Sequence, residues 1–430
     1  DFPKFKQSFM APIRWGCLDE VTPSIGDSGV LGGWGCVGRS VHAFQVAFKV
    51  YGDPVFARHL YWEVGKNLEC IHDSIYDADP LAIRRKVKKM VDGDKPPLES
   101  GYLDGFGLAI LQAPQRERGR AVWLYFGRNI GHGHTDRLNL GLYAENIDML
   151  PDMGYPEYAS GRPRDLAWTR NCASHNVAIV GDENQSRSYT GHLLAFEPEG
   201  MVRFVTASSE DAYPQSKTYS RTPVMVDVDE RRSYVIDIVR LRGSNVHRLM
   251  WHGPPGILSL PNVNLVSQLR GTFAGEDIPP EHLDRDWRRK PGYSFLQQVK
   301  RCADPPHIFY ANYKAQDIRG RFPPGVEPHL RIHCLTTLSE VATAVGEPPQ
   351  NKAGNPRWLD FVIQTRTGDK DLESLFINVL EPSDKEPFIK SVRSLRLIAS
   401  ESAGMVAAVE VVLTDGRVDT VVSVEKSARV

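Results

Sequence analysis

The chain has 430 residues, a net charge of −1 and 41 % hydrophobic residues, an ordinary globular balance but too much chain for one core, so two or three domains are expected. No basic excess points to nucleic acid, and no apolar run approaches the roughly 20 residues that span a membrane. The 6 cysteines are scattered without a CxxC pair, which argues against a disulfide framework and against a Cys-based zinc site.

In chain order, the sequence begins at Asp1 with neither Met nor a signal-peptide pattern, and a processed or truncated start is expected. Residues 22–35 (TPSIGDSGVLGGWG) read as loop because of their glycines. Residues 37–91 read as helical. Val41, Phe44, Ala47, Phe48 and Tyr51 keep a helical period, Gly52-Asp53-Pro54 breaks it, and a second periodic run goes from Val55 to about Ile71. Asp79-Pro80 opens a third segment that ends in RRKVKK, expected to be a solvated helix face.

From Gly101 onward the pattern turns to β. Short runs of β-branched and aromatic residues recur between turn signals, at Ala121–Gly127, Leu138–Ala144, Met201–Thr206, Val224–Val228, Tyr234–Leu241 and Leu330–Leu335. Many strands without intervening helices predict an antiparallel sandwich. Residues 271–305 are polar and Pro-rich and read as a surface excursion. Its Trp287 and Tyr293 lie near Arg288, Arg289 and Lys290, a composition that suits an anionic sugar, but the segment is read first as an ordinary exposed loop. A boundary is expected at residues 346–356 (GEPPQNKAGNP), followed by five strands at Trp358–Thr365, Ser374–Leu380, Ile389–Ile398, Met405–Leu413 and Val418–Val424. The domains expected are therefore 1–100 helical, 101–345 sandwich and 346–430 a small C-terminal β domain.

The densest chemistry is Gly131-His132-Gly133-His134-Thr135-Asp136. Two His at i and i+2 on an extended segment point the same way. Asp152 and His175 follow on separate segments, and a His, an Asp and a second His can make a metal site while the other His stays free for chemistry.

GHGHTDRLNLGLYAENIDMLPDMGYPEY followed by WTRNCASHNVAIVGDENQ resembles the heparinase II/III-like polysaccharide lyases, over roughly residues 100–400. The pairing of the HGH and SHN elements in this order carries the resemblance. It implies a mostly β fold with an N-terminal α segment: the last helices of an (α/α) toroid, a large antiparallel β-sandwich and a smaller C-terminal β domain. It also implies action on acidic, uronic-acid-containing polysaccharide. Most of the earlier toroid is expected to be absent here, so the chain is read either as a fragment or as one completed by a partner, a separate N-terminal toroid chain or a homo-oligomer. A secreted or periplasmic location follows only from that substrate.

Cleavage of a uronate chain by β-elimination needs a base for the C5 proton, an acid for the leaving oxygen and a positive or hydrogen-bonding group at the carboxylate. By the resemblance, His132 is the base or acid. Tyr155 and Tyr158, on the loop after Asp152, are candidates for the same cleft, or packing residues at a sandwich corner. Arg170 and Asn171 are candidates for the substrate carboxylate, with a structural ion pair the alternative for Arg170. His134, Asp152 and His175 match the family's zinc ligands in type and order, and one structural zinc is expected, its ligand tautomers set by an acceptor such as Asp136. Calcium suits two imidazoles poorly. His252 is read as a packing or turn residue. Two other classes compete: a non-catalytic carbohydrate-binding sandwich, and a metallo-hydrolase using His-x-His-x-Asp, which normally has a further His where Arg137 stands.

Overall fold

The computed structural model describes residues 4–18, 21–32, 35–36, 40–91, 98–127, 131–156, 164–187, 191–283, 285–397 and 404–425. The fold is mostly antiparallel β with a helical N-terminal segment.

The described helices of that segment are Phe5–Arg14, Val41–Tyr51, Pro54–Glu63 and Ala82–Met90. Ser40 caps the second through its hydroxyl, which accepts from the Ala43 N–H, and Gly52 closes it in the left-handed region at φ 64°. Asp53 accepts from the Val55 N–H, with Pro54 opening the third helix. That helix ends at Glu63, short of the expected Ile71, because Gly65 and Lys66 both take positive φ. Phe44, Ala47, Phe48, Phe56, Ala57, Leu60, Ile83 and Val87 close one small core. Only Ile83 and Val87 of the basic helix are buried; Arg85, Lys86, Lys88 and Lys89 face outward, and Arg84 folds back onto Glu69 and the Ile71 carbonyl.

An eight-stranded antiparallel sheet runs in the order 256–259, 309–315, 328–334, 373–384, 233–242, 218–227, 202–208, 192–197. A six-stranded sheet runs 266–267, 297–302, 340–346, 359–367, 246–252, 178–180, and a five-stranded meander covers 101–103, 108–112, 121–125, 139–144 and 147–148. Strand Ser233–Arg242 shows why the layers form. Val235, Val239 and Leu241 enter the main core, while Tyr234, Ile236 and Ile238 enter a second core on the opposite face. Alternate side chains of a strand point to opposite faces, so a strand with apolar residues at both odd and even positions demands cover on both sides. The three-stranded sheet 389–394, 407–413, 418–423 supplies that cover, with Phe388, Ile389, Val392, Val409 and Val411 packed on Ile236, Ile238, Ile377 and Val379.

The expected boundary at residues 346–356 is therefore corrected. Strand Leu359–Thr367 pairs with Val246–His252 and Glu340–Gly346 in the six-stranded sheet, and strand Glu373–Asp384 lies between Ser233–Arg242 and Pro328–Cys334 in the eight-stranded one. Only the strands from Ile389 onward form a sheet of their own. A Pro-rich connection marks a turn, and which sheet the next strand joins depends on partners distant in sequence.

The meander presents a further face. Trp123, Tyr125, Leu108, Ile110 and Tyr143 pack with Cys17 and Val21, and the Leu18 N–H donates to Gln112 Oε1. This anchors Cys17, Leu18 and Val21 on the sheet, and the Asp27 N–H donates to the His132 carbonyl of the HGH segment.

A candidate metal and acid–base site

The HGH segment follows strand Ala121–Tyr125, but residues 131–138 are irregular rather than extended. The two His side chains consequently differ in exposure, with His132 80 % exposed and His134 at 0 %. They nevertheless converge on one group that the sequence did not single out, Asp27. His132 Nδ1 lies 2.8 Å from Asp27 Oδ2, and His134 Nε2 lies 2.9 Å from Asp27 Oδ1. Arg170 Nη2 donates to the same Oδ2 at 2.5 Å, and Arg170 Nε sits 3.3 Å from Asp165 Oδ2. Burial tends to raise the Asp27 pKa, but the His134 and His132 hydrogen bonds and the His134 and Arg170 charges outweigh it and hold the carboxyl below its usual range.

Gly26 makes that approach feasible. Its φ is +65°, and a Cβ there would stand 2.5 Å from the His132 carbonyl oxygen, so only glycine fits. The Asp27 N–H donates to that same carbonyl at 2.9 Å. Gly154 pairs as a bridge with Val30, and the Tyr155 N–H donates to the Gly29 carbonyl at 3.0 Å. The Tyr155 ring thus stands on a segment tied beside Asp27, 38 % exposed. Tyr158 lies outside the described residues.

Behind the exposed imidazole, the ligand atoms of His134, Asp152 and His175 all lie within 4.8 Å of one another, and all three residues are buried. Asp152 Oδ2 is 2.7 Å from His175 Nδ1, and Asp152 Oδ1 accepts the Gly154 N–H. Burial alone would lower the His175 pKa, but the charge and hydrogen bond of Asp152 outweigh it and raise it. His134 Nδ1, His175 Nε2 and both carboxylate oxygens of Asp136 are buried with no hydrogen-bond partner. Buried polar groups are ordinarily satisfied, so orphaned imidazole nitrogens and carboxylate oxygens gathered at one place fit a metal ion. His252 closes the far side. Both its nitrogens are buried without a partner, burial pushes its pKa down to about 4, and the charges of Asp152 and His175 act on it.

The segments are fixed by backbone contacts. The Thr135 N–H donates to the Arg170 carbonyl, and the Thr135 hydroxyl lies 2.8 Å from Asn184 Oδ1. Buried Arg221 pairs with Asp237 at 2.7 and 3.0 Å, and donates to the Leu138 and Asn176 carbonyls at 2.8 and 2.5 Å. It thereby joins the chain after HGH to the chain after His175. Asn171 is fully buried, and its amide donates to the Lys290 carbonyl, so it holds the excursion loop in place. Arg137, where a metallo-hydrolase would have a His, is buried and donates to the Ser186 carbonyl.

Residues 118–278 match the family described as "Heparinase II/III-like, C-terminal". A curated alginate lyase of Stenotrophomonas maltophilia is 24 % identical over 210 residues, which is 44 % of this chain and 28 % of that protein. Among solved structures, heparan sulfate lyase HepC from Pedobacter heparinus aligns with a TM-score of 0.58 at 13 % identity, over 98 % of this chain and 52 % of that one. A heparinase III structure aligns with a TM-score of 0.56 at 15 % identity, over 97 % and 54 %. The chain thus spans about half the length of these solved lyases, and at such identities the likeness is one of fold.

Proposed function

We infer, for a chain whose residues 118–278 match the C-terminal domain family of the heparinase II/III-like proteins, that it acts in the cleavage of a uronic-acid-containing polysaccharide by β-elimination. The observation that carries this reading is the Asp27–His132 pair. A carboxylate at Nδ1 accepts that nitrogen's proton, which leaves the lone pair on Nε2, at the end of a ring 80 % exposed to solvent. An imidazole so oriented accepts the C5 proton. Charge then spreads onto the uronate carboxylate, the bond from C4 to the glycosidic oxygen breaks, and a C4–C5 double bond forms. Arg170, which shares Asp27 with the imidazole, brings positive charge to the carboxylate side. Tyr155, on the segment tied to Gly29, is the hydroxyl suited to protonate the leaving oxygen, and Tyr158 of the sequence is the other candidate phenol.

His134, Asp152 and His175 would hold a zinc ion, because two imidazoles and one carboxylate suit zinc better than calcium. The ion would act as a structural cross-link between the HGH segment, the loop at Asp152 and the segment at His175. The substrate implies a secreted or periplasmic setting, and no described helix is long and apolar enough to cross a membrane.

The test is ultraviolet absorbance of the protein mixed with alginate, heparan sulfate and other uronate polymers, with His132→Ala as control. A rise that the substitution abolishes supports the reading. An equal rise from both proteins removes His132 from the chemistry.

A further inference from the structure

We propose that the cleft beside His132 continues into a preorganised arginine-lined subsite that binds an anionic substituent on a sugar next to the reacting uronate. This rests on the lyase reading for its position in the reaction, although its binding can be measured without any turnover.

The cavity holds about 460 Å³ and is lined by Gly133 and Thr135 of the HGH segment, by Arg170, by residues 183–187, and by Trp287, Arg288 and Arg289. Arg170 is held by Asp27 and Asp165, but Arg187, Arg288 and Arg289 line the same cavity beside one lining carboxylate, Glu183. Glu183 stands 4.0 Å from Arg289, and both are well exposed, so it neutralises little. Opposite-sign focusing in a concave site favours an anion.

The wall is built and not merely charged. The Asn184 N–H donates to the Arg289 carbonyl, Asn171 to the Lys290 carbonyl, and the Ala173 N–H to the Pro291 carbonyl. Residues 287–291 are thereby clamped against the chain that leads into His175. Asn184 Oδ1 also reaches Thr135, so one amide side chain joins the excursion to the HGH segment. Trp287 packs against the core formed by Trp168, Phe295 and Phe361, and the Arg288 guanidinium lies over its indole at 4.7 Å. An aromatic ring beneath a guanidinium limits its rotamers and leaves its N–H edge for a partner. The excursion that composition reads as an ordinary surface loop is thus the outer wall of the cleft. Carboxylate and sulfate share the chemistry that this wall recognises: a planar or trigonal array of anionic oxygens that accepts paired N–H groups.

The test is calorimetric binding of alginate, which carries carboxylate alone, of heparan sulfate, which carries both groups, and of neutral dextran. The full chain bearing His132→Ala is used, so that no polymer is consumed. Adding Arg288→Ala and Arg289→Ala removes side chains whose clamping bonds are made by backbone carbonyls, so the wall stays in place. The expected result is binding of both anionic polymers but not dextran, weakened about tenfold or more by the double substitution, with partial recovery when Arg288→Lys replaces Arg288→Ala. Tighter binding of heparan sulfate than of alginate assigns sulfate as the preferred group, and equal binding assigns carboxylate. Unchanged affinity in the double variant, or dextran binding as well as alginate, overturns the subsite. The two readings separate in the protein with His132 intact. Unsaturated ends formed with an unaltered KM in the double variant sink the subsite alone. Arginine-dependent binding without unsaturated ends from any uronate polymer sinks the lyase alone.

Discussion

Asp27 Oδ2 and His132 Nδ1 stand 2.8 Å apart although 105 residues separate them in the chain. The other oxygen of the same carboxylate holds His134, one of the three residues gathered at the metal site. One side chain thereby sets the orientation of an exposed imidazole and supports a buried one. Asp27→Asn keeps the shape but replaces an acceptor by a donor at one position, which favours the wrong His132 tautomer. The expected outcome is a fall of about 10²–10³-fold in kcat with little change in KM, read from the rate at which unsaturated ends appear. An Asn variant as fast as the parent would remove Asp27 from the mechanism.

His132 and His175 should separate activity from stability. His132 is 80 % exposed, so His132→Ala should shift unfolding free energy by no more than about 0.5 kcal/mol while abolishing elimination. His175→Ala strips the buried Asp152 of its partner and should cost roughly 3–5 kcal/mol. Denaturant titrations of both variants beside the activity assay provide the comparison, and similar stability losses would contradict the assignment.

Removal of metal is expected to lower the melting temperature, because the ion would bridge three segments that only the folded chain brings together. Dialysis against a chelator, followed by readdition of zinc or calcium, tests both the site and the choice of ion. Zinc should restore the melting temperature and calcium should not. The same readdition in His134→Ala should have no effect.

The Arg221–Asp237 pair is fully buried, and burial pushes the Asp237 pKa up against the lowering effect of Arg221. Asp237→Ala leaves a buried guanidinium that must still serve the Leu138 and Asn176 carbonyls. A loss of about 3–5 kcal/mol is expected by chemical denaturation, together with weaker metal retention, since those carbonyls flank the HGH and His175 segments. Retention of parent stability would show that the pair is dispensable.

His247 gives a pH dependence away from the metal. Burial lowers its pKa from 6.5 to about 4, and its neutral ring lies between the Ser374 hydroxyl and the Gly243 carbonyl. Below pH 6.5 the unfolded chain takes up a proton that the folded chain refuses. Stability is therefore complete above that value and declines as pH falls toward about 4, by at most roughly 3 kcal/mol. The stability gap between the parent and His247→Asn should narrow over this range. A gap that stays constant with pH would refute the assignment.

What the sequence determined by itself is local in origin. Short runs rich in β-branched and other apolar residues specify strands wherever they fall, so runs such as Tyr234–Leu241 and Met405–Leu413 were legible within a few residues, and so were the helix breaks at Gly52 and Pro54. The order His134, Asp152, His175 was legible because each lies in a distinctive short segment. Tertiary structure alone decided the rest, because each remaining feature is a pairing between distant parts of the chain. Asp27 sits in a loop whose glycines announce flexibility but name no partner, and its role appears only when Gly26 meets the His132 carbonyl. Asn171 reads as a candidate substrate contact, and only packing brings its amide to the Lys290 carbonyl. Strands Leu359–Thr367 and Glu373–Asp384 carry no local mark of the sheet they join. Periodicity tells a strand that it has two faces, and only the partners that bury those faces tell it where to lie.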